Sequence, residues 1–229
     1  MAHSGFRRDP AAVNTEAIED YAKAIYALQR QGEGPVGNSA LAARLGVSPG
    51  SATAMVKRLA ELGFAEYTPY HGVSLTAPGE RIALETIRHH RLIESFLADT
   101  LGMPWDKVHD EAEVLEHYIS EDLEERIAST LGDPSHDPHG DPIPDRSLTL
   151  AEESAVALAA IEVGQSATFT RVSDSDPEML RYLDQRGIRP GVEVTVSDRD
   201  PFGGAIMLEV EGSAHAIGTQ LADRMLVAT

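Results

Sequence analysis

Residues 109–117 read His-Asp-Glu-Ala-Glu-Val-Leu-Glu-His. At about 100° per residue, His109, Glu113, Glu116 and His117 fall on one line of a helix. Val108, Ala112, Leu115 and Ile119 fall on a second line beside it. A surface helix needs only the apolar line. Here imidazoles and carboxylates run along its edge, where another helix would pack. Buried carboxylates without a partner are costly, so the spacing points to a cation as the missing partner. This confines the chain to a helical fold packed around a polar seam, with the helix expected over about Asp106–Ile119.

A second helix answers to the first. Residues 77–101, capped by Thr76 and closed by Gly102, carry Ala83, Ile87, His90, Glu94, Leu97 and Leu101 at alternating spacings of four and three, a heptad seam. His90 and Glu94 sit one turn apart within it. Metal ligation ranks ahead of a simple ion pair as the reading of that couple. His89 points elsewhere and reads as surface. Ser120 caps a further helix, Glu121–Leu131, ended by Gly132, on which Glu121, Asp122, Glu124 and Glu125 read as a solvated acidic face.

The N-terminal third carries a different pattern. Residues 15–31 form a helix with Ile18, Tyr21, Ala22, Ile25 and Leu28 on its core face. Asp20, on the opposite face, reads first as a first-turn acid favouring the helix dipole. Asn38 or Ser39 caps a short helix to Leu45, Gly46 turns the chain, and Ser48 caps a second helix with Pro49 at its first position. Ala52, Val56 and Leu59 face inward, and Ser51, Thr53, Ala54, Lys57 and Arg58 outward. This is helix-turn-helix spacing, with the second helix as reader of a major groove. Asn38, Ser39, Ser48, Pro49, Ser51 and Thr53 suit close approach to DNA, and Lys57 and Arg58 suit phosphates. Ala65–Thr68 and Val73–Leu75 around Pro69-Tyr70-His71-Gly72 predict a wing; His71 at its tip reads equally as a backbone contact or an exposed loop residue.

Residues 132–150, with Pro134, Pro138, Pro142 and Pro144, read as a linker in which His136 and His139 are disordered surface. Beyond it Ala167–Val172, Val192–Ser197, Ala205–Val210 and His215–Ile217 predict short strands, and Asp176–Arg186 a helix, of a small barrel-like module. Helix capping accounts for Asp174, Asp176 and Glu178.

The net charge of -18 would oppose nucleic acid if spread evenly. It is not spread evenly: residues 1–75 hold seven basic and seven acidic residues, 76–132 five and thirteen, 133–229 seven and seventeen. The N-terminal third is therefore free to approach DNA. Cysteine is absent, which excludes disulfides, thiolate metal sites and cysteine nucleophiles. With no apolar run near the ~18 residues of a membrane span and no signal peptide, a cytoplasmic protein without membrane contact is expected. The first dozen residues, with Gly5 and Pro10, read as a frayed leader.

A winged helix-turn-helix, a His-x-x-x-Glu helix and a His-x-x-x-Glu-x-x-Glu-His helix together resemble the diphtheria-toxin-repressor family of metal-dependent transcriptional regulators. The stretch Lys107 to Ala112 followed by Glu116-His117, and Asp141-Pro142-Ile143-Pro144, are specific to that family, and the C-terminal module is similar to the SH3-like (FeoA-type) domain of its longer members. The resemblance implies a multi-domain protein, mainly α with small β. A winged helix-turn-helix would span 1–76, a helical metal-binding and dimerisation domain 77–145, and an SH3-like β-barrel 146–229. It implies a primary metal site of Asp20, Glu113, Glu116 and His117, so that Asp20 becomes a ligand, and an ancillary site of His90, Glu94 and His109. Iron-type members carry methionine and cysteine where this chain has Asp20 and Glu113, which are the residues of the manganese branch. Asp176 falls near a further ancillary ligand, and Met179 near a position where glutamine is usual. Lys23 stands where short manganese-type members have glutamate.

The donors are all carboxylate oxygen and imidazole nitrogen, which suits Mn(II), a weak binder in the Irving–Williams series. The expected function is a manganese-dependent repressor of metal-uptake genes, in which Mn(II) orders a homodimer on double-stranded operator DNA. Fe(II), Co(II) and Zn(II) are alternative ions in vitro. Three alternatives remain at this point: an iron-dependent repressor of the same family, a metalloenzyme using His109-Asp110 as an HD-type hydrolase dyad, and a metal-independent winged-helix regulator. An enzyme gives no reason for residues 38–76.

Overall fold

A computed structural model describes residues 10–32, 34–151, 154–174 and 176–229. The expected leader falls largely outside them. The chain forms two compact units, one running to His89 and taking in Arg146–Thr149, the other comprising His90–Asp145 and Leu150–Thr229.

The first unit opens with α1 (Pro10–Gln31), which begins earlier than its apolar period suggests. Proline suits the first helical turn and Ala11 and Ala12 are strong helix formers. Asp20 therefore lies in the helix interior, and its role as a first-turn acid lapses. α2 (Asn38–Leu45) and α3 (Pro49–Glu61) follow, joined at Gly46 in the left-handed conformation (φ 63°). The Ser48 hydroxyl accepts the Ser51 N–H at 3.1 Å, capping α3 as expected. α2 is capped differently: Gly37 is its N-cap and no side chain serves there. β1 (Ala65–Thr68) and β2 (Gly72–Leu75) pair antiparallel as the wing, and Val36 bridges to Val73. Tyr21, Ala22, Ile25, Leu41, Ala52, Val56, Leu59 and Val73 fill the core beneath.

α4 (Ala77–Ser95) starts in the first unit and ends in the second. A π-helical turn, Phe96–Thr100, succeeds it, with the Leu101 N–H bonded to the Phe96 carbonyl. One extra residue per turn shifts the helix phase. Leu101 accordingly leaves the heptad seam and is 61% exposed, while Ala83, Ile87, His90, Glu94 and Leu97 are buried. α5 (Val108–Leu115) is shorter than expected; Glu116 keeps helical angles as its C-cap, and residues 116–118 form a turn. Its apolar line is also shorter, because Val108 and Ala112 are buried but Leu115 is exposed. On α6 (Glu121–Thr130), Ile127 and Ala128 pack with Leu92 and Ile143. Glu124, expected on a solvated face, is buried on that side.

The C-terminal part of the second unit is a six-stranded antiparallel sheet in the order β3-β8-β4-β5-β6-β7. Its strands are β3 (Val156–Ala157), β4 (Ser166–Val172), β5 (Glu193–Arg199), β6 (Ile206–Val210), β7 (Ser213–Ile217) and β8 (Met225–Ala228). α7 (Pro177–Asp184) and α8 (Thr219–Ala222) complete it. The core, built on Phe169, Leu180, Leu183, Val196, Ile206 and Leu208, also takes in Trp105 from the helical part. Through Trp105 the helical residues from His90 onward share a core with the C-terminal sheet and belong to one unit with it.

Candidate metal centre

His90 and Glu94 face inward from α4, one turn apart, and His109 faces them from α5. His90 Nε2 lies 3.0 Å from Glu94 Oε1 and 3.1 Å from His109 Nδ1, and His109 Nδ1 lies 3.3 Å from the same Glu94 oxygen. Asp174, just after β4, reaches His109 Nδ1 at 2.9 Å. These four residues can direct one ligand atom each at a common point. A second group meets them at one shared residue: His90 with Glu113 and Glu116, where His90 Nδ1 is 2.5 Å from Glu116 Oε2 and 3.8 Å from Glu113 Oε1. The other Glu116 oxygen faces His117 Nε2 at 3.7 Å.

A third group, Glu94, Asp137 and His139, extends the first inward. It overturns the reading of residues 132–150 as disordered surface. His139 is fully buried, with its ring stacked on Trp105 at 5.7 Å. The cause is a tight turn: Asp137 Oδ1 accepts the backbone N–H groups of His139 (2.8 Å) and Asp141 (3.0 Å). An Asp side chain bonded to the backbone two residues on is an Asx turn. Gly140, at φ 87°, lies so close to β4 that a Cβ there would stand 1.8 Å from the Thr170 carbonyl oxygen. His136, by contrast, is exposed as expected. The Asp-x-His-Gly-Asp order was visible in the sequence, but the prolines around it masked the signal. At the start of α7, Asp176 is spent as the N-cap, accepting the N–H groups of Glu178 and Met179, and Met179 packs on the apolar core. The acid that joins the cluster is Asp174, which capping does not explain.

Charges in this cluster are strongly coupled. The His109 imidazole, hydrogen-bonded to Asp174 and then to Glu94, is raised to about 10 against the pull of burial. Burial draws the His139 imidazole down, but the neighbouring Glu94 and Asp137 carboxylates outweigh it and hold it at about 9. Burial pushes the Glu94 carboxyl up, yet His109, His139 and His90 together carry it well below the usual carboxylate range. Asp174 is held low by His109 despite its burial. Asp137 is pushed to about 8 by burial and by the Asp141 and Glu94 charges.

Does a cation fit? His139 Nε2 lies 2.8 Å from the Trp105 carbonyl oxygen, an acceptor, and therefore carries the hydrogen. In the neutral ring that metal ligation requires, Nδ1 then carries a lone pair 3.7 Å from Glu94 Oε2; in the charged ring of the metal-free protein a proton stands there. Both atoms are buried without a hydrogen-bond partner. Two buried ligand atoms facing each other at this separation are what a cation between them, in place of the imidazolium proton, would satisfy. The donor set is wholly oxygen and nitrogen, and a metal held there would supply charge neutralisation across buried carboxylates.

The residues expected to approach DNA lie on α2, on α3 and at the Ser48 cap between them. Ser39, Ser48, Pro49, Ser51, Lys57 and Arg58 are solvent-exposed. Asn38 and Thr53 are partly buried: Asn38 Nδ2 donates to Thr53 Oγ1 at 3.0 Å, and that hydroxyl donates to the Pro49 carbonyl at 2.9 Å. They tie α2 to α3 rather than cap α2. His71 is exposed at the wing tip beside Tyr70, whose φ is 68°. Asp20 is half-buried on α1. Asp110 is exposed, so it does not join His109 as an HD dyad.

A DNA-reading unit and a buried carboxylate–imidazole centre define a metal-dependent transcriptional regulator. The chain belongs to the diphtheria-toxin-repressor family. Its residues 14–73 match the iron dependent repressor N-terminal DNA binding domain, 76–145 the iron dependent repressor metal binding and dimerisation domain, and 156–229 the FeoA domain. The iron-dependent repressor IdeR of Mycobacterium tuberculosis is 31% identical over 208 residues, covering 84% of this chain and 88% of that protein. The transcriptional regulator MntR of Escherichia coli is 41% identical over 118 residues, covering 52% of this chain and 75% of that one. A manganese-dependent transcriptional repressor solved with manganese superposes with a TM-score of 0.84 at 40% identity, covering 93% of this chain and 99% of that one. ScaR with bound Zn2+ gives 0.74 at 32% identity, covering 92% and 98%. The protein is thus a metal-dependent repressor and not an enzyme, and among the described residues no helix is long and apolar enough to cross a membrane.

Proposed function

We propose that this protein is a manganese-responsive repressor that binds its operator as a homodimer and silences metal-uptake genes. The observation that carries the reading is the pair of buried atoms Glu94 Oε2 and His139 Nδ1, which face each other without a hydrogen-bond partner in a centre built from oxygen and nitrogen alone. An absence of sulfur penalises softer ions, and hard donors in number suit Mn(II). His90, Glu94, His109 and Asp174 form the inner pocket, with Asp137 and His139 at its floor. Glu113, Glu116 and His117 form the outer pocket, to which the family resemblance adds Asp20 from α1.

When bound, the metal neutralises the carboxylates. The residues do the rest. His90 spans the two pockets, its Nδ1 side bonded to Glu116 and its Nε2 side facing Glu94. A histidine ligand that donates its second N–H to a carboxylate has its tautomer and ring plane fixed. Occupation of the pockets favours the DNA-binding arrangement to the extent that it binds metal better. Ser48, Ser51 and the N-terminal turn of α3 approach the bases, with Lys57 and Arg58 on phosphates. Ser39 and Pro49 line the approach, and Asn38 and Thr53 set the helix pair.

Fluorescence anisotropy on the protein's own upstream DNA tests this, run metal-free, with Mn(II), and anaerobically with Fe(II). Tight binding only with Mn(II) is the expected result. Equal response to Fe(II) would replace the manganese assignment with iron, and tight binding without metal would remove metal from the mechanism.

A further inference from the structure

The inner pocket is closed on one side by the loop 137–142, and nothing in that loop is regular secondary structure. On α4, between the two pocket residues His90 and Glu94, stands Arg91. Its guanidinium Nη1 donates to the Pro142 carbonyl oxygen, Nη2 lies 3.4 Å from Asp141 Oδ1, and Nε lies 3.7 Å from Asp137 Oδ2. Three nitrogens of one planar group thus face three points of the loop. Arg171 on β4 meets Asp141 from the other side at 3.5 Å. Asp137, the loop's own pivot, uses Oδ1 on backbone N–H groups, so Arg91 is the cation that faces its second oxygen.

The loop needs such a clamp. Asp137 and Asp141 are carboxylates at its two ends, and Asp137 is grouped with Glu94 as well. Several acids gathered at low exposure repel one another and resist desolvation. Packing and the Val172 N–H bond to the His139 carbonyl (3.0 Å) hold the loop's β4 side, while on another side a cavity of about 750 Å³ adjoins it, lined by His136, Asp137, Pro138 and Gly140 with Asp99 and Arg189. The loop has open space to move into, and its movement would carry His139 and Asp137 away from Glu94.

We infer that Arg91 is the positioning residue of the inner pocket. It acts through the loop, holding it shut so that His139 and Asp137 stay at the pocket floor. The inference rests on the reading of Glu94 and His139 as ligands. Guanidinium geometry is specific to it, because three separate acceptors must be met from one rigid plane, and a lysine ammonium cannot span them.

Trp105 provides the readout. It is the only tryptophan in the chain and stacks on His139, so a paramagnetic ion in the inner pocket quenches its fluorescence. Mn(II) titrations of the full-length wild type, Arg91→Gln, Arg91→Lys and Glu94→Ala are compared, each with a metal-free melting curve. Outer partners that orient metal ligands change affinity by about 10–100-fold. Arg91→Gln is expected to raise the quenching midpoint at least tenfold, and Arg91→Lys to recover only part of that. Asp141→Asn, which weakens the clamp while keeping the arginine, is expected to shift it in the same direction by less, and it decides the matter if Arg91→Gln fails to fold. A midpoint unchanged in the folded Arg91 or Asp141 variants, with Glu94→Ala losing the quench, overturns the role of Arg91 alone. Unchanged quenching in Glu94→Ala overturns the inner pocket itself. A shift in which lysine matches arginine would show that charge suffices and would overturn the clamp.

Discussion

His90 and Glu116 are joined by a hydrogen bond, Nδ1 to Oε2, that links the two halves of the metal centre. Glu116 comes from the end of α5 and is fully buried at its carboxylate. Its remaining oxygen faces His117, while the opposite nitrogen of His90 faces Glu94. The inner and outer pockets therefore share a side-chain path of four residues, and each pocket orients a ligand of the other. A carboxylate in this position fixes the orientation of the ring and which nitrogen carries the hydrogen.

Removing Glu116 should consequently damage both pockets. In Glu116→Ala the outer pocket loses a ligand and His90 loses the acceptor that holds its tautomer. Mn(II)-dependent operator affinity is expected to fall at least a hundredfold, with the Trp105 quenching midpoint rising about tenfold because His90 is no longer oriented by a carboxylate. Far-UV circular dichroism should be unchanged, because α5 keeps its buried contacts at Val108 and Ala112. Anisotropy and quenching on one sample check both statements; a quenching curve identical to wild type would separate the pockets.

Gly140→Ala tests the loop without touching a charged group. The new methyl would have to occupy φ 87° and stand 1.8 Å from the Thr170 carbonyl oxygen, so the loop must lift from β4. Backbone strain of this kind costs roughly 1–3 kcal/mol. The melting temperature of metal-free protein should fall by several degrees, and Mn(II) should quench Trp105 at higher concentration, since His139 neighbours the substituted residue.

On the DNA side, Lys57 is exposed on α3 and Arg58 is paired only loosely with Glu61 at 3.6 Å across the surface. Such pairs contribute little, leaving both cations available for phosphates. Lys57→Ala should weaken binding to specific and unrelated DNA alike and reduce the magnitude of the salt dependence by about one unit of slope. Ser51→Ala should act mainly on the specific site. Titrations at several salt concentrations distinguish the two, and an unchanged slope for Lys57→Ala would remove it from the phosphate contacts.

What was legible in the sequence was whatever obeyed a helical or strand period. His90, Glu94, His109, Glu113, Glu116 and His117 announced themselves because four-residue spacing puts them on one line, and α5 and α4 are helices where that spacing holds. The helix-turn-helix was legible from Ser48, Pro49 and Gly46. What escaped was set by contacts distant in sequence or by breaks of period. His139 is buried by a tryptophan 34 residues away and by an Asp-anchored turn, in a segment whose prolines look like linker. Asp174 reaches His109 from a loop after β4, whereas the neighbouring Asp176 caps α7. Leu101 leaves its seam because a π-helical turn inserts a residue, and β8, between β3 and β4, has only Met225–Ala228, too short a run to announce a strand.

Protons and metal compete for the same lone pairs, and the competition has a sign. The metal-free His109 and His139 imidazoles sit at about 10 and about 9, above the unfolded value near 6.5. Their contribution to folding of the metal-free protein is thus complete below about pH 6.5 and is lost as pH rises through 9 to 10. Metal needs the neutral rings. Between pH 6 and 8 both rings are charged before loading, so filling the inner pocket should expel about two protons from these rings, and Mn(II) affinity should climb steeply with pH across that interval. Calorimetric titrations in two buffers of different ionisation enthalpy measure the number released. In His139→Ala one ring is gone, and the count should drop by about one. A release near zero in the wild type would mean that the metal enters a pocket whose rings are already neutral, and that Asp174 and Glu94 do not hold His109 charged.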